Sequence, residues 1–128
     1  MTDVRQPADM NAAFAAAFNT GRIEALIALY EPNALLVGHG EVDRRGLGDI
    51  RAELEGLLAL GGRMESTNLF AHTVGDLSLL SARFRLEGRA PDGGPLVVEG
   101  RTAEVVRRQE DGRWLYIIDH PFSAPAGP

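Results

Sequence analysis

The chain has 128 residues, with 13 arginines, no lysine, no cysteine and a formal net charge of −5. Without cysteine it has no disulfide, thiolate nucleophile or cysteine-ligated metal. Without lysine it has no Schiff-base lysine and no Walker-type phosphate-binding lysine. The length predicts one domain, large enough to fold around its own hydrophobic core. The acidic balance, with only two pairs of adjacent arginines, argues against nucleic acid as a partner.

The hydropathy pattern gives no reason to expect a membrane partner. No stretch approaches the roughly 18 apolar residues that a membrane span requires. The apolar run 12–18 follows Asp3 and Asp9 and has no basic lead-in, so it predicts a helix and not a signal peptide. We therefore expect a cytoplasmic protein with an N-terminal tail at 1–7, one domain at 8–123 and a C-terminal tail at 124–128.

The first half of the chain predicts three helices. Apolar residues recur at helical spacing in three groups: Met10, Phe14, Ala17 and Phe18; Ile23, Leu26, Ile27 and Tyr30; and Ile50, Leu54, Leu57 and Leu58. Residues 19–21 break the first helix, Pro32 stops the second and Gly61 follows the third. Between the second and third helices, Ala34–Val37 predicts a short strand and Gly38–Gly46 a turn-rich hairpin.

The second half predicts four long strands, with boundaries at Arg63–Val74, Leu77–Glu87, Leu96–Gln109 and Arg113–Phe122. Their separators contain Gly-Asp, Pro-Asp-Gly-Gly and Asp-Gly, which favour tight turns and hence sequential antiparallel pairing. On the last strand Trp114 and Ile118 share one face. Leu115 and Ile117 share the other, so both faces are expected to be covered. The helices cover one face, and we expect a second copy of the chain to cover the outer face in a homodimer. The alternative is that the tails cover it.

Three segments resemble the NTF2-like (cystatin-like, SnoaL-like) family. Gly21–Leu35 is similar to its second helix running into its first strand, and Arg45–Ile50 to its arginine-glycine-isoleucine entry to the third helix. Asp111–His120 is similar to its closing strand, with a histidine six positions after a tryptophan. The resemblance covers residues 8–123. It implies an α+β cone in which three N-terminal helices pack on a curved antiparallel sheet around a cavity for a small, mostly apolar molecule. It implies no single activity, because the fold hosts isomerases, cyclases, dehydratases and non-catalytic modules.

The groups that carry ketosteroid isomerisation in this family are not matched here. That chemistry uses a tyrosine, a carboxylate base and a protonated aspartate. The corresponding positions are Phe14, which has no hydroxyl, and Gly38, which has no side chain. The third falls in 101–104, where only Glu104 could serve. We therefore expect a different chemistry.

The polyketide-cyclase branch of the family, typified by SnoaL, resembles the chain in another way. It uses an aspartate and a histidine in the late strands as acid and base, without a cofactor. Asp119 and His120 approximate that couple, but neighbours in a strand point to opposite faces unless a bulge intervenes. His120 shares parity with Tyr116 and Ile118, so we predict that His120 faces the cavity as the acid–base group. The alternative is a structural histidine at the strand end.

Two further residues are candidates for acid–base chemistry. His39 lies one residue past Gly38 and is either a replacement base or an exposed turn residue. Glu104 is either an acid or base of the cavity, if it faces inward, or the outward partner of an arginine. His72 is interpreted as a packed or surface histidine. The spacing of the three histidines does not match a metal site, and we expect no metal and no cofactor.

The resemblance also implies a pocket lined by aromatic side chains, although the same residues could form plain core: Phe14, Phe18, Tyr30, Phe84, Trp114 and Tyr116. The resulting expectation is a protein that binds a small hydrophobic or amphipathic molecule. It is either an enzyme that does acid–base chemistry of the isomerase or cyclase type at His120 with His39, Glu104 or Asp119, or a non-catalytic ligand-binding or dimerisation module.

Overall fold

Helical segments and six strands follow one another along residues 3–125, the part of the chain that the computed structural model describes. The helices are α1 (Met10–Asn19), α2 (Ile23–Ile27) and α3 (Gly46–Leu58), with single 3-10 turns at Pro7–Asp9 and His39–Glu41. The strands are β1 (Tyr30–Val37), β2 (Asp43–Arg45), β3 (Arg63–Val74), β4 (Leu77–Arg89), β5 (Pro95–Arg108) and β6 (Trp114–Ala124). None of these helices is long and apolar enough to cross a membrane.

The predicted α+β architecture is confirmed as a curved six-stranded sheet with a few helices, in the strand order β2-β1-β6-β5-β4-β3. The helical part is less regular than expected, because α2 has only five residues and two segments are single 3-10 turns. Strands β3 to β6 pair sequentially and antiparallel, as their turns predict. The expectation of a wholly antiparallel sheet is wrong, because β1 pairs with β6 in parallel. Hairpin turns dictate direction only between consecutive strands, and no turn joins these two.

The start of β1 differs from the sequence-based prediction. Helix α2 ends at Ile27, and Tyr30, predicted to belong to that helix, is the first residue of β1. Pro32 lies between Tyr30 and Leu35, where the register of β1 against β6 shifts. An irregular stretch of strand tolerates a proline, which cannot donate to the ladder.

The core lies between the helices and the inner face of the sheet. Helix α1 packs against β3, and α3 packs against β1. Large side chains of this core include Met10, Phe18, Leu26, Ile50, Leu80 and Leu86, all of which are buried. Each such side chain contributes roughly 1.5–3 kcal/mol by leaving water. The helices therefore hold the inner face of the sheet in a fixed position.

The predicted N-terminal tail is partly ordered against the sheet. Val4 is buried, and its carbonyl accepts a hydrogen bond of 2.8 Å from the Trp114 backbone N–H. The Arg5 guanidinium donates to the Asp111 carbonyl. At the other end, β6 extends to Ala124, one residue into the predicted C-terminal tail. Residues 1–2 and 126–128 of the predicted tails lie outside the described residues.

Strand β6 contains a bulge at Ile117. Val105 of β5 pairs with Ile118, whereas the next residue, Val106, pairs with Tyr116. Ile117 is therefore the extra residue, left without a partner on β5. An extra residue in one strand moves every following side chain to the opposite face of the sheet.

Candidate functional site

A cavity of about 70 Å³ lies between α1, α3 and the inner face of the sheet. Its walls are mostly apolar and include Phe14, Leu36, Leu54, Leu57, Met64 and Phe84. The volume is below the roughly 300–1,000 Å³ of most small-molecule pockets. In this conformation the cavity therefore suits a molecule of only a few non-hydrogen atoms.

The bulge in β6 decides which member of the Asp119–His120 couple enters the cavity. Asp119 lines the cavity, and His120 does not. The prediction that His120 faces inward is wrong, because the extra residue at Ile117 shifts the alternation between Tyr116 and the end of the strand. His120 is partly exposed on the other face, and its Nδ1 atom is buried with no hydrogen-bond partner among residues 3–125.

Two carboxyl groups lie side by side in the wall of the cavity. Glu104 on β5 is the register partner of Asp119 on β6, and the two residues are only 2% and 6% exposed. Of the two alternatives for Glu104, the inward one is therefore observed. The Tyr30 hydroxyl donates a hydrogen bond of 2.5 Å to Asp119 Oδ2. The Asn11 amide donates one of 3.0 Å to Glu104 Oε1.

Asn11 connects the polar side chains at this end of the cavity through its hydrogen bonds. It is buried on α1, where its Nδ2 also donates to Asn68 Oδ1 and its Oδ1 accepts a hydrogen bond of 2.8 Å from the Tyr116 hydroxyl. Sequence analysis missed Asn11. The available signal was its position on the same helical face as Phe14 and Phe18, because a polar residue within an apolar stripe requires buried partners.

The surroundings raise the pKa values of the two carboxyl groups by different amounts. Burial, reinforced by the charge of Asp119, raises the pKa of Glu104 from 4.5 to about 8. Burial raises the pKa of Asp119 from 3.8 to about 6, although the hydrogen bond from Tyr30 acts in the opposite direction. Near pH 7 the cavity thus holds a proton donor, Glu104, beside a proton acceptor, Asp119. Burial also raises the pKa of Tyr30 and of Tyr116, so both remain hydroxyl donors.

The mouth of the cavity is held by Glu53, which sequence analysis did not identify. Its Oε1 accepts a hydrogen bond of 3.0 Å from Arg44 Nε, and its Oε2 accepts one of 3.1 Å from the His39 backbone N–H. A Cβ atom at Gly38 would lie 2.6 Å from Glu53 Oε1, so glycine at this position leaves room for the carboxylate. His39 also lines the cavity here, as an exposed residue.

The cavity is lined by three of the six aromatic residues expected there, namely Phe14, Phe84 and Tyr116. The expectation is wrong for Phe18, Tyr30 and Trp114, which are buried elsewhere in the core. Tyr30 is separated from the cavity by Asp119, whose carboxylate its hydroxyl contacts. Trp114 lines a different groove of about 400 Å³, formed with the N-terminal segment, α1 and α2.

The third histidine lies away from the cavity. His72 is exposed on β3, where its ring stacks on Phe70 at a centroid distance of 4.8 Å. This position agrees with its interpretation as a surface histidine. Within residues 3–125, no group of three histidine, aspartate or glutamate side chains is placed to hold a metal ion.

Comparison with known proteins places this geometry in context. The sequence model of the SnoaL-like domain family matches residues 11–117. A comparison with curated protein sequences gives no match. A ketosteroid isomerase-like protein from Erwinia carotovora atroseptica has a similar structure, with a TM-score of 0.72 and 20% identity over 87% of this chain and 88% of that one.

Two further solved structures show the same likeness. One is a candidate dehydratase of the NTF2-like family from Streptomyces avermitilis, with a TM-score of 0.69 and 22% identity over 90% of this chain and 93% of that one. The other is a domain of unknown function with a cystatin-like fold from Nostoc punctiforme, with a TM-score of 0.74 and 17% identity over 91% and 74%. At these identities the likeness shows the fold alone, and it confirms the fold that the sequence motifs implied.

Proposed function

Because the chain belongs to the SnoaL-like domain family, we propose that it is a cofactor-free enzyme that moves a proton within a small, mostly apolar molecule. The reaction is of the isomerase type. The observation that supports this proposal is the neighbouring pair of carboxyl groups, Glu104 and Asp119, in a mostly apolar cavity. Two carboxyl groups whose surroundings separate their pKa values are the pattern of an acid–base pair.

The two carboxyl groups take different roles in this proposal. Asp119 is the general base, because it is ionised near pH 7 and the Tyr30 hydroxyl holds only its Oδ2. It removes a proton from a carbon next to a carbonyl, and the electrons of that C–H bond form the enol. Glu104, oriented by Asn11, donates its proton to the carbonyl oxygen. Asp119 then gives its proton to a carbon of the enol while the enol O–H returns its proton to Glu104, which re-forms the carbonyl group and restores both carboxyl groups.

Deuterium exchange into 2-butanone tests the proposal, because this ketone is small enough for the cavity. NMR in D₂O follows exchange at the carbons next to the carbonyl, and we expect the protein to accelerate it. Asp119→Asn and Glu104→Gln should each lower the rate by roughly 10²–10⁴-fold. The rate should rise as Asp119 ionises through about pH 6 and fall as Glu104 ionises through about pH 8.

Two control variants separate this site from the rest of the chain. Glu110→Gln changes an exposed carboxylate in the turn between β5 and β6, and His120→Ala changes the histidine outside the cavity. Both should keep the wild-type exchange rate. Exchange that is no faster than in buffer, or that persists in Asp119→Asn, would contradict the proposal.

A second candidate function is a non-catalytic binding module for the same class of molecule. It is favoured by the hydrogen bonds from Tyr30 and Asn11, since both carboxyl groups already have protein partners. Binding of 2-butanone without any acceleration of exchange would support this candidate.

We also propose that the chain forms a homodimer through the outer face of its sheet. A row of outward side chains crosses four neighbouring strands there, and consecutive members are register partners: Leu79, Val105, Ile118 and Leu35. Leu79 and Ile118 are 45% and 40% exposed, and Phe70 beside them is 40% exposed. A second copy offers the same row, so that two such surfaces bury each other.

A further inference from the structure

We propose that the molecule this cavity takes carries a positively charged nitrogen, as a small ammonium or iminium ion, and that the cavity rejects anions. The inference rests on the cavity described under the proposed function and names the class of its substrate. It concerns binding, so it can be tested separately from turnover.

The first observation is that, among residues 3–125, the two carboxyl groups of the cavity are given no cationic partner. The hydrogen bonds that residues 3–125 give them come from the hydroxyl groups of Tyr30 and Thr102 and from the Asn11 amide, all of which are uncharged. The carboxylate of Glu53 at the mouth is different, because Arg44 pairs with it. Buried charges in proteins are normally paired, so the counter-charge inside the cavity is what a bound molecule would supply.

The second observation is a carboxylate oxygen of a cavity residue that accepts no hydrogen bond from residues 3–125. Asp119 is 6% exposed and lines the cavity, and only its Oδ2 accepts a hydrogen bond from a described residue. Its Oδ1 is thus available to a donor within the cavity. Hydrogen bonds between a cationic N–H and a carboxylate are roughly twice as strong as those between neutral groups. An ammonium group therefore suits this oxygen better than a hydroxyl group.

The third observation is the charge of the walls. No arginine of the described chain lines the cavity, and His39 at the mouth is its basic side chain. A carboxylate or phosphate ligand would meet Glu104 and Asp119 without a compensating cation, which is unfavourable in a low-dielectric site.

The remaining walls limit the rest of the molecule. Phe14, Leu57 and Phe84 offer apolar contacts, and the volume of about 70 Å³ leaves room for only a short hydrocarbon. A small aliphatic amine meets both requirements. Where the molecule also carries a carbonyl group, a cationic nitrogen close to it would make the C–H bond next to the carbonyl more acidic, which agrees with proton transfer to Asp119.

A matched series of four-carbon probes tests the inference: n-butylamine, 1-butanol and butyrate. Binding to the full-length protein is measured by isothermal titration calorimetry near pH 7, where Asp119 is ionised. We expect n-butylamine to bind at least about 10-fold more tightly than 1-butanol, and butyrate not to bind. Equal binding of the amine and the alcohol, preferred binding of butyrate, or no binding of the amine would each overturn the inference.

Variants connect the preference to the carboxyl groups. Asp119→Asn should lower n-butylamine affinity at least about 10-fold and leave 1-butanol unchanged, while Glu110→Gln alters neither. An Asp119→Asn protein that keeps the wild-type preference for the amine would contradict the inference. If that variant does not fold, the inference is still tested by whether the wild-type protein binds n-butylamine more tightly than 1-butanol. If the protein prefers the amine but does not accelerate exchange into 2-butanone, the inference stands and the proposed function is contradicted. If the protein accelerates exchange but does not prefer the amine, the proposed function stands and the inference is contradicted.

Discussion

Glu104 is a buried carboxyl group whose titration links the stability of the fold to pH. It is protonated in the folded protein up to about pH 8, whereas in the unfolded chain its pKa is near 4.5. Below both pKa values Glu104 is protonated in the folded and in the unfolded protein, so its titration does not change the free energy of unfolding. As pH rises from about 4.5 to about 8 the unfolded state ionises first, so the free energy of unfolding falls. Asp119 acts in the same direction up to about pH 6.

The Glu104→Gln variant tests this linkage. Glutamine keeps an acceptor for Asn11 but cannot ionise, so the variant should be more stable than wild type by roughly 4–5 kcal/mol at about pH 8.5, and nearly equal to it at about pH 4. Urea unfolding at both pH values measures the difference, with the exposed Glu110→Gln as the control that shows no pH-dependent change. A Glu104→Gln protein that gains no stability between the two pH values would contradict the linkage.

At the scale of single residues, the sequence predicts which candidates belong to the site better than it predicts which of their side chains face the cavity. Glu104, Asp119 and His39 were singled out, and all three line the cavity. The choice between Asp119 and His120 depended on strict alternation, which one unpaired residue in β6 reverses. A bulge of this kind depends on pairing with strands distant in the chain, so local spacing does not reveal it.

Among the elements, the four long strands were predicted best. The limits of β3 agree with Arg63–Val74, and β4 to β6 differ by no more than two residues at either end. The turns between them carry their own sequence signals, such as Gly75 and Gly112 at positive φ. Tyr30 was assigned wrongly because its spacing from Leu26 and Ile27 fits a helix, while its partners in β6 lie far away in the chain.

The loop between β1 and β2 offers a test of how the mouth is built. In Gly38→Ala the new Cβ would lie 2.6 Å from Glu53 Oε1 and 3.1 Å from the Val42 carbonyl oxygen. Glu53 must then move away from Arg44 and the His39 backbone, and we expect a loss of about 1–2 kcal/mol in the free energy of unfolding. Urea denaturation measures this loss.

The matched control for that variant is Gly56→Ala in α3, where a new Cβ meets nothing within 4 Å. It should stabilise the protein by roughly 0.5–1 kcal/mol, because alanine favours a helix. If Glu53 causes the clash, Gly38→Ala should be less harmful in a protein that already carries Glu53→Ala. An equal loss in both backgrounds would exclude this explanation.

On the scale of the whole molecule, the outer face of the sheet makes the oligomeric state testable. Light scattering should give twice the 13.8 kDa of one chain. Leu79→Arg places a charge in the middle of the apolar row and should shift the mass to that of a single chain. Val42→Arg changes a similarly exposed residue near the mouth and should leave the dimer intact. A single-chain mass for the wild-type protein would contradict the dimer.

The family could be predicted from the sequence, because three separated motifs with their spacings specify the fold. The geometry of the site could not be predicted, because it depends on contacts between elements that are distant in the chain. Asn11 of α1 meets Glu104 of β5, and Tyr30 of β1 meets Asp119 of β6. Neither pair is signalled by any local pattern.

The unpaired residue of β6 has a consequence for how such a protein could change. Deleting Ile117, a single codon, would make the pairs Val105–Ile118 and Val106–Tyr116 consecutive and regular, and Asp119 would keep its place on the inner face of the sheet. Related sequences that lack one residue at this point can therefore still present the aspartate of this position to the cavity.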